Sequence, residues 1–105
     1  MTDALLVFTT FPEAEGAARL ATQLVRDKLA ACVNVLPAMQ SFYVWQDQET
    51  SGSEHLLLIK TRDALYPQLE AAILAAHPYE LPEIIATSIH RGLPGYLNWI
   101  EASTS

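Results

Sequence analysis

Cysteine, glycine and positive charge are all scarce in this sequence, and no long apolar run occurs. The single cysteine, Cys32, excludes an intrachain disulfide and, within one chain, a structural zinc site of paired thiolates. Only 6 of the 105 residues are Lys or Arg, and they form no cluster. A nucleic-acid-binding surface and a polybasic membrane patch both need such a cluster, so neither partner is expected. The 4 glycines are scattered and build no phosphate-cradling loop, and G-x-S-x-G, H-E-x-x-H and P-loop motifs are missing. The longest uninterrupted aliphatic run, residues 56–59, is far short of a membrane span. Met1-Thr2-Asp3 carries none of the basic residues of a signal peptide, and the apolar run after it is too short for an h-region. Together with the lone thiol, this predicts a soluble cytoplasmic chain.

What is present is apolar and acidic. Half the residues are hydrophobic, which excludes intrinsic disorder, and 12 acidic residues against 6 basic ones give a net charge of −6. Nothing linker-like divides the chain, so residues 1–105 are read as one domain. Residues 4–9 are a short apolar run, a buried strand. Residues 10–13 have the form of a capping box, and residues 14–31 carry one apolar stripe at helical spacing. Residues 32–47 change to strand composition, interrupted by Pro37, which places them on an edge or at a bulge. Polar residues 47–53 read as a turn, and residues 54–61 as a strand covered on both faces. A second helix over residues 63–76 ends at His77-Pro78, because proline disfavours helical geometry in the residue before it. A strand over residues 83–90 and a short helix over residues 96–102 complete the chain.

Strand, helix, strand, strand, helix, strand is the order of the α+β, ferredoxin-like βαββαβ sandwich, with both long helices on one sheet face. The other face must be solvated or covered by something else. The central hairpin is too long for such a body. Residues 32–47, fully extended, span about 50 Å, against a radius of gyration of about 13 Å for a 100-residue globule. Its far end carries Phe42, Tyr43 and Trp45, with aromatics on both strand faces. An exposed aromatic edge needs a partner, which predicts oligomerisation through this arm.

The densest polar stretch is residues 77–83, on the loop before the last strand. His77, Glu80 and Glu83 read either as loop-shaping residues or as the lining of a ligand or metal pocket. Cys32 reads either as a small buried hydrophobe or as a soft-metal ligand. Lys60, at the end of an aliphatic run, either snorkels or turns into a cleft to bind an anion or pair with a carboxylate. His55 and His90 lie at opposite ends of parallel strands in this topology and form no pair.

Six stretches carry a resemblance. They are Thr10-x-Pro12, Leu29-Ala30-Ala31-Cys32-Val33-Asn34, Ser41-x-Tyr43-x-Trp45, Ile59-Lys60-Thr61, His77-Pro78-Tyr79-Glu80-x-Pro82-Glu83 and Tyr96-Leu97-x-Trp99. In this order, over nearly the whole chain, they resemble the CutA divalent-cation tolerance family. The resemblance implies a homotrimer joined by the long hairpin arms, an assembly like that of the PII signalling proteins, and no catalytic reaction. It implies a link to copper tolerance, and in animal relatives to anchoring acetylcholinesterase. Members that bind copper carry a Cys at the end of the first strand and a His before the His-Pro-Tyr. Here those positions are Thr9 and Ala76, and of that set only His77 is kept.

The expected function is therefore a non-enzymatic homotrimer of the metal-tolerance type, requiring no cofactor and responding to Cu(II) through His77 and Cys32. The alternative is a PII-like module binding a small ligand in a cleft between subunits, lined by Tyr43, Trp45, Lys60, Tyr79, Glu80 and Glu83. The sequence does not name a partner protein.

Overall fold

Period-two alternation sets the sheet. In β1 (Ala4–Phe11), Leu5, Val7, Thr9 and Phe11 are buried on one face, while Leu6 and Phe8 are half-buried on the other. The computed structural model describes residues 2–105; Met1, the first residue of the signal-peptide reading, lies outside the described residues. The chain continues through α1 (Ala14–Arg26), β2 (Cys32–Val35), β3 (Met39–Trp45) and β4 (Gln48–Arg62). A 3₁₀ turn over Asp63–Leu65 leads into α2 (Tyr66–Ala76), followed by β5 (Ile84–Ser88) and α3 (Pro94–Ser103). The sheet is antiparallel in the order β2-β4-β1-β5, and β3 pairs with the outer part of β4. That is the mixed α+β arrangement and the strand order expected of a split βαβ unit.

The core lies between the sheet and two helices. Leu20 and Leu24 of α1 and Leu69 and Ile73 of α2 bury against Val7, Leu57 and Ile59. Thr9 is fully buried among them, and its Oγ1 has no hydrogen-bond partner. At the other end of the sheet Ile100 of α3 packs on Ala4 and Ala31. The Arg62 guanidinium ties α3 down, with Nε donating to Thr104 Oγ1 at 2.8 Å and Nη2 to the Thr104 carbonyl at 2.9 Å.

Three local expectations are corrected. First, α1 ends at Arg26 rather than running to residue 31. Lys28 takes a left-handed φ of 57°, and the Leu29 N–H turns back to the Leu24 carbonyl at 2.9 Å. This closes the helix and redirects the chain into β2. Second, there is no capping box. Thr10 still belongs to β1 and its hydroxyl donates to Glu54, while Glu13 occupies the N-cap without a side-chain cap bond. Third, residues 48–53 are strand, not turn. The reversal is confined to Gln46 and Asp47, at φ 50° and 65°. Two consecutive left-handed residues match the twist of a tight hairpin, so the polar run beyond them stays paired. The expected break at Pro37 is present: residues 36–38 stand opposite only residues 55 and 56, one extra residue that bends the strand.

The arm follows from these pairings. β4 has 15 residues, enough to pair with β1 and β2 at one end and with β3 at the other. The molecule is accordingly 45 Å long and only 25 by 24 Å across. Phe42 is 78 % exposed and Val44 65 % on one face of the arm, and Tyr43 and Trp45 are partly exposed on the other. The sheet face turned away from α1 and α2 is also uncovered over its middle. There the register sets Ile85, Phe8 and Leu58 side by side across β5, β1 and β4. Leu6 and Leu56 are half-buried on the same face.

Candidate functional site

The site is a cleft that runs along one face of the arm, from its root at Glu54 toward Trp45 near the tip. Its walls come from two segments far apart in sequence. One is the arm face that carries Ser41, Tyr43, Trp45, Thr50 and Glu54; the other is the loop from Tyr79 to Glu83. That loop exists because α2 stops at Ala76, where His77 before Pro78 is extended at φ −82°, ψ 136°. The cleft encloses about 500 Å³ and is also lined by Thr10, Phe42 and Leu81.

Glu54 is the floor. Only 7 % of it is exposed, and its Oε2 accepts hydrogen bonds from Thr10 Oγ1 and from the Tyr79 hydroxyl, both at 3.0 Å. Two hydroxyl donors on one oxygen is the pattern of an ionised carboxylate. Burial, then the Glu54 carboxylate that accepts its hydrogen bond, push the Tyr79 phenol from 10.0 up to about 12. The neutral phenol is therefore the form bound in the folded chain. A raised folded-state pKa contributes stability that is complete below pH 10 and lost between 10 and about 12. Tyr66 and Tyr96 are raised as well, and we expect the latest tyrosine transition in a spectrophotometric titration, near pH 12, to be missing in Tyr79→Phe. If that transition survived the substitution, another tyrosine would carry it.

His77 braces the loop. Its Nδ1 accepts the Tyr79 backbone N–H at 3.1 Å, so Nε2 carries the proton and donates it to the Thr10 carbonyl at 2.6 Å. The ring sits between Phe11 and Tyr79, with centroids 4.4 and 4.8 Å away. Both ring nitrogens are thus engaged within the chain. Cys32 lies near the opposite end of the sheet, paired with Lys60 and with its thiol 3.9 Å from Asn34 Oδ1. Thr9 is buried and Ala76, exposed, offers no donor atom. Among the described residues no three His, Cys, Asp or Glu side chains are grouped to hold a metal ion. The donor set of one chain therefore does not fit a preformed copper site.

Of the residues expected in a ligand cleft, Tyr43, Trp45, Tyr79, Glu80 and Glu83 are brought together. Lys60 is not. It shares the sheet face with Glu54 but lies six residues along β4, roughly 20 Å away, and its ammonium donates to Asn34 Oδ1. His55 and His90 lie at opposite ends, since His55 pairs with Phe11 while Ile89 donates to the Ala4 carbonyl. Glu54 and Thr10 were not expected in the cleft. A signal for Glu54 exists: alternation along β4 puts it on the same face as Leu56 and Leu58, a carboxylate on a half-buried apolar face.

Comparison with known proteins is consistent over the whole chain. Residues 5–103 match the family model described as CutA1 divalent ion tolerance protein. The chain is 43 % identical over 100 residues to the chloroplastic protein CutA of Arabidopsis thaliana, covering 95 % of this chain and 55 % of that protein. It is 41 % identical over 99 residues to the divalent-cation tolerance protein CutA of Thermus thermophilus, covering 94 % of this chain and 96 % of that one. The crystal structure of CutA from Xylella fastidiosa superposes with a TM-score of 0.96 at 39 % identity, over 99 % of this chain and 100 % of that one. The chain spans about half the length of the plant and mammalian relatives it matches. No helix among the described residues is long and apolar enough to cross a membrane.

Proposed function

The chain belongs to the CutA1 divalent ion tolerance family, and on that premise we propose that it acts as a non-enzymatic, cytoplasmic homotrimer in the response to divalent copper. The observation that supports the assembly is the presence of two uncovered apolar surfaces on one subunit. The arm presents Phe42 and Val44 on one face and Tyr43 and Trp45 on the other, and the sheet face presents Ile85 beside Phe8 and Leu58. A long two-stranded ribbon with exposed aromatics and an open apolar sheet face are both surfaces that a partner subunit would cover. In a closed ring every subunit both gives an arm and receives one.

Copper binding in this reading is weak and centred on His77. Imidazole suits Cu(II), but here Nε2 must give up its hydrogen bond to the Thr10 carbonyl before it coordinates. One imidazole is a poor site, so further donors come from Glu80, Glu83 or a neighbouring subunit. The expected affinity is micromolar or weaker, about −8 kcal/mol or less favourable. Calorimetry with Cu(II) on the parent protein and on His77→Ala tests it. Binding should disappear in the variant; equal affinity in both would remove His77 from the site, and nanomolar affinity in the parent would bring Cys32 in.

The cleft favours a second reading, that of a PII-like module which binds a small ligand and signals to a protein partner. A concave site of about 500 Å³ with aromatic walls and a buried polar floor is the form small-molecule sites take. Lys60 lies outside it, which leaves the cleft without the positive charge a nucleotide phosphate needs.

A further inference from the structure

We propose that the cleft along the arm is closed by the sheet face of the partner subunit, and that Lys60 of the partner subunit enters it to pair with the carboxylates of Glu80 and Glu83. The inference rests on the homotrimer reading, not on the small-ligand one, and names a contact that orients one subunit on the next.

The two surfaces carry opposite charge. The charged residues lining the cleft are Glu54, Glu80 and Glu83, and no basic residue lines it. Glu54 is buried and already accepts from two hydroxyls, whereas Glu80 and Glu83 are exposed. On the open sheet face, alternation along β4 sets out Arg62, Lys60, Leu58, Leu56 and Glu54. Arg62 is tied to Thr104, and Glu54 to Thr10 and Tyr79. Lys60, between them, is half-buried, and its ammonium donates to a neutral amide oxygen, Asn34 Oδ1. The residues beside it across the ladder are Cys32 and Leu6, so no carboxylate stands next to it. Covering this face takes the ammonium out of water, and a neutral amide does not balance its charge. A subunit cannot supply the balance from its own cleft, because its Lys60 lies six residues along β4 from Glu54, roughly 20 Å away.

The apolar parts of the two surfaces fit the same placement. Leu58, Phe8 and Ile85 form the row next to Lys60, two residues along the strands and about 7 Å away. With Lys60 of the partner subunit at the loop that ends in Glu83, the same row of the partner subunit runs toward Tyr43 and Trp45, the half-exposed aromatic wall of the cleft. Turned end for end, the sheet face would set its apolar row against the carboxylates instead. The charge pair therefore selects the direction in which the subunits meet, which is what charges across an interface do best. The contact is head to tail, the kind that closes into a ring.

The test is charge reversal on the full-length protein, read by light scattering over a dilution series. Lys60→Glu puts a further carboxylate into an acidic cleft and should raise the concentration at which trimers dissociate about a hundredfold. Adding Glu80→Lys and Glu83→Lys to that chain should restore assembly, which a misfolded variant could not do. In the parent trimer a carbodiimide, which joins an amine to a carboxylate only where they touch, should yield covalent dimers linked from Lys60 to Glu80 or Glu83. Unchanged dissociation in Lys60→Glu, a reversed chain no tighter than Lys60→Glu alone, or a crosslink from Lys60 to any other carboxylate would overturn the pairing while leaving the trimer. A parent protein that is monomeric throughout would overturn the homotrimer reading along with it.

Discussion

Replacing Trp45 with alanine is expected to convert the assembly into monomers and to lower the melting temperature in the same step. In the isolated subunit Trp45 is 40 % exposed near the tip of a two-stranded arm, so little of the subunit's own core depends on it. Its contribution lies in what covers the arm. Truncating a well-buried tryptophan costs about 3–5 kcal/mol per site, and a cyclic trimer loses that at every interface. Because the arms are shared, dissociation and loss of stability appear together and become concentration-dependent. A Trp45→Ala protein of unchanged size and unchanged melting temperature would place the residue outside the interface and leave the arm's aromatic surface unexplained.

Ile59→Ala is the second large effect, and it acts inside the subunit. Ile59 is fully buried in the middle of β4, opposite Val7 on one side and Val33 on the other. It joins both neighbouring strands to the layer formed by Leu20, Leu24, Leu69 and Ile73. Removing three carbons there leaves a cavity that the flanking strands, fixed by their ladders, cannot close. The expected cost is about 2–5 kcal/mol, a large share of the roughly 5–15 kcal/mol that holds a domain together. Urea denaturation should show a lower midpoint at unchanged slope. A loss below about 1 kcal/mol would mean that the sheet relaxes around the hole.

The two variants separate the parts of the fold that the sequence made legible from those it did not. The body is written in local patterns. The stripe of Leu20 and Leu24 and the run at residues 56–59 declare their elements because apolar spacing and burial coincide. The arm is legible too, because too many strand residues crowd between α1 and the next helix for a small sheet to use. Its turn was not. Residues 48–53 look like loop because the arm is exposed on both faces and needs no apolar alternation, and the left-handed pair Gln46 and Asp47 contains no glycine to mark it.

The candidate site is legible only in part for a related reason. Tyr43, Trp45 and the Tyr79 to Glu83 loop stand out as aromatic and carboxylate residues on segments with no core role. The floor does not stand out. Glu54 meets Thr10 across 44 residues and Tyr79 across 25, and such contacts follow from register and the bend at Pro37, not from any local motif. Lys60 was legible as a charged strand residue, but only the fold shows that it stands opposite Cys32, donates to the diagonal neighbour Asn34 and lies far along β4 from the carboxylates.

The central claim is that the arm and the uncovered sheet face are two halves of one interface repeated around a threefold axis. Size-exclusion chromatography with inline light scattering measures it most directly. The account predicts a mass of about 35 kDa, three times the 11.6 kDa chain, unchanged on dilution through the micromolar range. A single species of 11.6 kDa at every concentration would contradict it, because the exposed arm and the open sheet face would then both stand in water with nothing to cover them.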